Sequence, residues 1–76
     1  MRKRLPPRTL SLHIGRQIHL IRRKEGLTQS EVGRMCGLSQ MAISLYERGR
    51  VHPTASTLWQ LSNGLGVPVN YWFDGV

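Results

Sequence analysis

With 76 residues the chain has room for one small core, and 11 Lys and Arg against 4 Asp and Glu leave it a formal charge of +7. That balance points to a polyanionic partner, either nucleic acid or an anionic membrane surface. Cys36 stands alone, which excludes an internal disulfide, and no apolar run approaches the roughly 20 residues of a membrane span or the core of a signal peptide, so the expectation is a cytoplasmic protein.

Residues 1–10 form the first segment, with Arg2, Lys3, Arg4 and Arg8 set around Pro6-Pro7. Such a composition has nothing to pack and reads as a flexible basic arm, which either follows a DNA backbone or minor groove or is a solvated tail. Residues 11–76 read as one domain. Its first helix is expected from about Ser11 to Lys24, where Leu10, Ile14, Ile18 and Ile21 recur along one face and basic residues occupy the others. Leu20 lies off that stripe, as a surface leucine or part of a subunit contact. Gly26 closes the helix.

Two short helices follow, over residues 29–48. Thr28 and Glu31 have the spacing of a reciprocal cap, in which the threonine oxygen accepts from a main-chain N–H and the glutamate returns the bond. Val32 and Cys36 then point inward one turn apart, and Gly33 leaves room for a neighbouring helix. Gly37 stops this helix and Ser39 caps the next. In that second helix Ile43 and Tyr46 share the inner side, while Gln40, Met41, Ser44, Leu45 and Arg48 fall on the outer one. The outer residue types suit a DNA groove. A glutamine amide donates and accepts at once, as the N6/N7 edge of adenine requires, while Met41 and Leu45 can touch thymine methyls. Gln29 and Ser39 at the two helix starts, with Arg48 and Arg50 after the second helix, are the candidate phosphate contacts.

Gly49 to Pro53 reads as a loop, and Ala55 to Leu65 as a packing helix in which Leu58, Leu61 and Leu65 repeat and Trp59 broadens the apolar face. Gly66 ends it, and Pro68 introduces a last helical turn holding Tyr71, Trp72 and Phe73. Three successive aromatics spread around more than half of such a turn, so at least one is expected at the surface, either as a homodimer contact or at the edge of the core.

The run Leu27-Thr28-Gln29, then Gly37-Leu38-Ser39, Ile43-Ser44, Glu47-Arg48-Gly49, and downstream Pro53, Leu58, Leu61 and Leu65-Gly66-Val67 closely resembles the Cro and phage-repressor type (XRE-like) helix-turn-helix family, over most of the chain. The resemblance implies an all-α domain, a compact five-helix bundle of the lambda-repressor-like type. It implies an ion pair between Arg22 and Glu47 that links the first helix to the recognition helix, and pairing of subunits through the C-terminal aromatics. Leu45 departs from the pattern, because some relatives carry a polar base reader there.

His13, His19 and His52 share no helix face, no second cysteine accompanies Cys36, and the four acids offer no carboxylate pair, so neither a metal, a cofactor nor catalysis is expected. The leading expectation is a sequence-specific transcriptional regulator, a repressor acting as a homodimer on a two-fold operator in double-stranded DNA. Two alternatives share the same DNA chemistry: an antitoxin that also binds a toxin partner, and a restriction-modification controller protein.

Overall fold

A computed structural model describes residues 6–76. Four α-helices follow in order: α1 Pro7–Lys24, α2 Gln29–Cys36, α3 Gln40–Glu47 and α4 Ala55–Leu65. The chain finishes with a 3-10 turn, Val69–Phe73, so the described residues form four α-helices and a tight terminal turn in place of five helices. Five residues between Pro68 and the Asp74-Gly75 exit are too few for an α-helical ladder. Tyr71 N–H instead bonds the Pro68 carbonyl at 3.0 Å, the three-residue step of a 3-10 helix.

The first helix starts earlier than the hydrophobic stripe predicts. Pro6 is extended (φ −59°, ψ 144°) and its carbonyl accepts from Thr9 and Leu10, while Pro7 takes the first helical position, where proline's fixed φ is already right and no N–H is missed. The proline pair is therefore the start of α1, and Arg8 sits in its first turn. Arg2, Lys3 and Arg4 of the expected arm lie outside the described residues.

The helix-turn-helix unit is set by local chemistry. Thr28 Oγ1 accepts from Glu31 N–H at 3.1 Å and Glu31 Oε1 accepts from Thr28 N–H at 2.9 Å. That main-chain bond holds the Glu31 carboxyl below its ordinary value. Gly37 ends α2 in the left-handed conformation (φ 72°), and Leu38 N–H closes back on the Gly33 carbonyl at 2.8 Å. Ser39 Oγ then caps α3 by accepting from Ala42 N–H at 3.0 Å. Two residues, Leu38 and Ser39, are all that separate the turn glycine from α3.

The core gathers Ile14, Ile18 and Ile21 from α1, Val32 and Cys36 from α2, Ile43 from α3, Leu58 and Leu61 from α4, and Trp72 from the terminal turn. Burial pushes the Cys36 thiol up, as it does for a small hydrophobe with no thiolate role. The two tryptophans reverse the expected pattern. Trp72, expected at a subunit interface, is 0% exposed and donates its indole N–H to Ser62 Oγ at 2.8 Å. Trp59, expected to widen the apolar face of α4, is 60% exposed. The reason is geometric: α1 and α4 both pack against the terminal turn and close over position 72, whereas position 59 projects from the flank of α4 away from Leu58 and Leu61.

Candidate nucleic-acid interface

The site begins with how α3 is held. Gly15 of α1 lies against its C-terminal end so closely that a Cβ there would stand 2.1 Å from the Tyr46 carbonyl oxygen, inside any tolerable contact. Only a glycine lets α1 and α3 meet main chain to main chain at this point.

Beside it, Arg22 of α1 and Glu47 at the end of α3 form a two-point ion pair, with Nε 2.6 Å from Oε2 and Nη2 3.0 Å from Oε1. The remaining Arg22 nitrogen donates to the Leu27 carbonyl at 3.0 Å, so one guanidinium ties α1 to α3 and to the entry of α2. Gln29 Nε2 donates to Glu47 Oε1 at 3.3 Å, adding α2 to the same carboxylate. His19 Nδ1 lies 3.0 Å from Glu47 Oε1 and 3.3 Å from Arg22 Nη2; this nitrogen donates to the first or accepts from the second, never both. Burial pushes the Glu47 carboxyl up, but the hydrogen bonds from Arg22, His19 and Gln29 and the arginine charge outweigh it and hold the group below its ordinary value. The bond to Glu47 outweighs burial at Arg22 and raises that guanidinium further.

With its inner face and its end fixed, α3 presents its outer face. Gln29, Gln40, Met41, Ser44 and Arg48 line one open depression of about 380 Å³. Met41 is 72% exposed, Gln40 and Arg48 are exposed, and Ser44 is half-buried. Arg48 is steadied by its own Nε, which donates to the Ser44 carbonyl at 3.3 Å. Leu45 is half-buried and stands outside the depression, and Arg50 is exposed on the segment beyond. Ser39 is exposed with its oxygen engaged as the α3 cap, which leaves its hydroxyl hydrogen free to donate.

A second hollow of about 460 Å³ adjoins the first, lined by Arg22, Arg23, Thr28, Gln29, Ser30 and Gln40 among others. The free N–H groups at the start of α2 open here, the electropositive end of a helix next to two arginines. Arg23 and Ser30 are thus further candidates for an anion contact, and neither stands out in sequence, because each is an ordinary polar residue until the chain folds the end of α1 against the start of α2.

Among the described residues no group of three or more His, Cys, Asp or Glu side chains could hold a metal, and no helix is long and apolar enough to cross a membrane.

The model of the helix-turn-helix family HTH_3 matches residues 18–72, the stretch that contains every element from the middle of α1 to the terminal turn. The chain belongs to the helix-turn-helix family. Among curated relatives, an uncharacterised HTH-type transcriptional regulator, y4dJ, of Sinorhizobium fredii is 46% identical over 54 residues, covering 71% of this chain and 70% of that protein. A second, from Sinorhizobium medicae, is 34% identical over 68 residues, and there this chain spans only 49% of the relative's length. Among solved structures, the P22 c2 repressor bound to a synthetic operator superposes with a TM-score of 0.75 at 33% identity, over 83% of this chain and 96% of that one. The restriction-modification controller protein C.AhdI of Aeromonas hydrophila shares the fold, with a TM-score of 0.80 at 21% identity over 83% of this chain and 96% of that one. The chain therefore carries the helix-turn-helix DNA-binding domain of a transcriptional regulator, and its relatives are regulators and not enzymes.

Proposed function

We propose that this helix-turn-helix domain is a repressor that binds a two-fold symmetric operator as a homodimer, with α3 lying in the major groove. The observation that carries the reading is the shared depression: Gln40, Met41 and Ser44 converge there with no side-chain hydrogen-bond partner among the described residues, while α3 itself is fixed from behind by Gly15, Arg22 and Glu47. Gln40 makes paired hydrogen bonds to an adenine edge, Met41 covers a thymine methyl, and Ser44 donates to a base edge deeper in the groove. The start of α2 at Gln29, with Ser39, Arg48 and Arg50, meets phosphates and sets the register. Leu45, half-buried beside the depression, stays a candidate for contact with a thymine methyl.

Homodimerisation is supported by the distribution of charge. Residues 51–76 contain no Lys or Arg, and this stretch exposes Trp59, Val69 and Phe73. A second copy can meet that face without bringing two basic surfaces together. Phe73, at 39% exposed, stays a candidate for the contact and Tyr71, half-buried, sits at its edge, whereas Trp72 is core. Repression, as opposed to activation, is supported by the likeness to the P22 c2 repressor.

Selection of bound duplexes from a random pool tests the reading. Enrichment of an inverted repeat whose half-sites lie about one helical turn apart is expected; recovery of no consensus, or of one without two-fold symmetry, overturns it.

A further inference from the structure

The segment between α3 and α4 is fastened to the N-terminal half of α1 at two points. Gly49 is buried against Leu12, where a Cβ would come within 2.6 Å of Leu12 Cδ2. Three residues on, His52 Nδ1 lies 2.7 Å from the hydroxyl oxygen of Ser11, a side chain on a residue only 5% exposed. The imidazole thus has one nitrogen committed to a buried hydroxyl. His52 itself is exposed, so Nε2, across the ring, is the nitrogen left to an outside ligand.

The surroundings say what that ligand is. Arg48 and Arg50 precede His52 on the same segment, and Arg8 lies one turn before Ser11 on α1. Neither α1 nor the whole stretch from Arg48 to Leu65 contains an Asp or Glu, so α4 brings no charge at all. Glu47, just before the segment, is taken up by Arg22. The terminal turn reaches α1 further along, where Gln17 Nε2 donates to the Asp74 carbonyl oxygen at 3.3 Å, with His13 beside Gly75. The exit segment therefore carries this ring and two arginines with no acidic side chain of its own.

We propose that His52 is a further contact to the DNA backbone, donating Nε2–H to a phosphate oxygen beside Arg50, with Ser11 as the positioning residue that aims the ring. This rests on the DNA-binding reading above. A phosphate contact carries no sequence information, so the contribution is the same on any duplex. With Nδ1 engaged by Ser11, Nε2–H is the donor the ring turns outward.

The test is the affinity for the selected operator and for a scrambled duplex of the same length, read by fluorescence anisotropy over several salt concentrations. His52→Ala is expected to bind both duplexes several-fold more weakly than wild type, by the same factor on each, whereas His52→Arg keeps a donor toward the phosphate and should bind both at least as tightly as wild type. Ser11→Ala leaves the ring undirected and should weaken both duplexes alike, by less than His52→Ala. A His52→Ala protein that melts like wild type and binds both duplexes as wild type does, or one weakened on the selected operator alone, overturns the assignment while leaving the DNA-binding reading intact. Wild type that binds no duplex at any salt concentration overturns both.

Discussion

All 11 Lys and Arg of this chain fall at or before Arg50, and none follows, although residues 51–76 supply a third of its length. The basic part contributes α1, the helix-turn-helix unit and its exit segment. The part without Lys or Arg contributes α4 and the terminal turn, with Trp72 in the core and Trp59 outside it. On the proposed function, a small domain that holds a polyanion and also meets a copy of itself faces conflicting demands, because charge that attracts DNA repels a second subunit. Dividing the chain resolves the conflict: one part is available for phosphates, and the other for burial of apolar surface.

The sharpest way to break the comparison is within the part without Lys or Arg, where the two tryptophans do different work. Trp72→Ala empties the core and strands the Ser62 hydroxyl, and should cost about 3 to 5 kcal/mol, enough to unfold so small a domain at modest temperature. Trp59→Ala should change stability by less than about 0.5 kcal/mol while weakening self-association. Thermal melts beside sedimentation of both variants check this. A Trp59→Ala protein that self-associates like wild type removes that residue from the dimer contact.

Next in size is the link between α1 and α3. Glu47→Gln leaves a largely buried guanidinium without its charge partner and should cost about 2 to 3 kcal/mol, with Arg22→Met on top recovering part of the loss. The pH dependence follows in sign. The Glu47 carboxyl lies lower in the folded protein than its ordinary 4.5, so its contribution to stability is complete above that value and is lost as pH falls through the folded value. Melts recorded from pH 7 down to pH 3 should show the decline in wild type and a flatter profile in Glu47→Gln.

Within the basic part the comparison can be sharpened between reading and holding. Gln40→Ala should cost about 1 to 3 kcal/mol on the selected operator and almost nothing on scrambled DNA. Arg50→Ala should weaken both duplexes alike and lower the salt slope by about one unit. Titrations of both variants on both duplexes decide it; equal weakening of the two DNAs by Gln40→Ala would withdraw that residue from base reading.

What the sequence discloses depends on how far apart the interacting groups are. The caps at Thr28 and Ser39 and the stop at Gly37 act within three or four residues, so their spacing alone indicates helices in these places. Helical periodicity likewise marks Ile14, Ile18 and Val32 as inward. It reports direction but not depth, and this is why Trp59 and Trp72 read in reverse: whether an aromatic is covered depends on Ser62 and on two helices distant in the chain. The proline pair at the start of α1 was ambiguous for another reason, since Pro6-Pro7 suits an extended arm and a helix start equally until the carbonyl of Pro6 is seen to accept from Thr9 and Leu10. The resemblance indicated Arg22 and Glu47, but nothing in the spacing indicates that Gln29 and His19 join them, or that His52 reaches Ser11 across 41 positions.

The contact between Gly15 and the Tyr46 carbonyl has a consequence for how such a protein changes its target. Among the described residues, the contacts that fix α3 lie behind it or at its end, and the side chains of Gln40, Met41 and Ser44 make no hydrogen bond. If these three positions read bases as proposed, substitutions there should alter preference for an operator with little effect on folding, so that descendants of one sequence can drift to new promoters by single steps. Position 15 has no such latitude. A methyl group there would push α3 away from α1, and on the proposed reading every operator should be lost together.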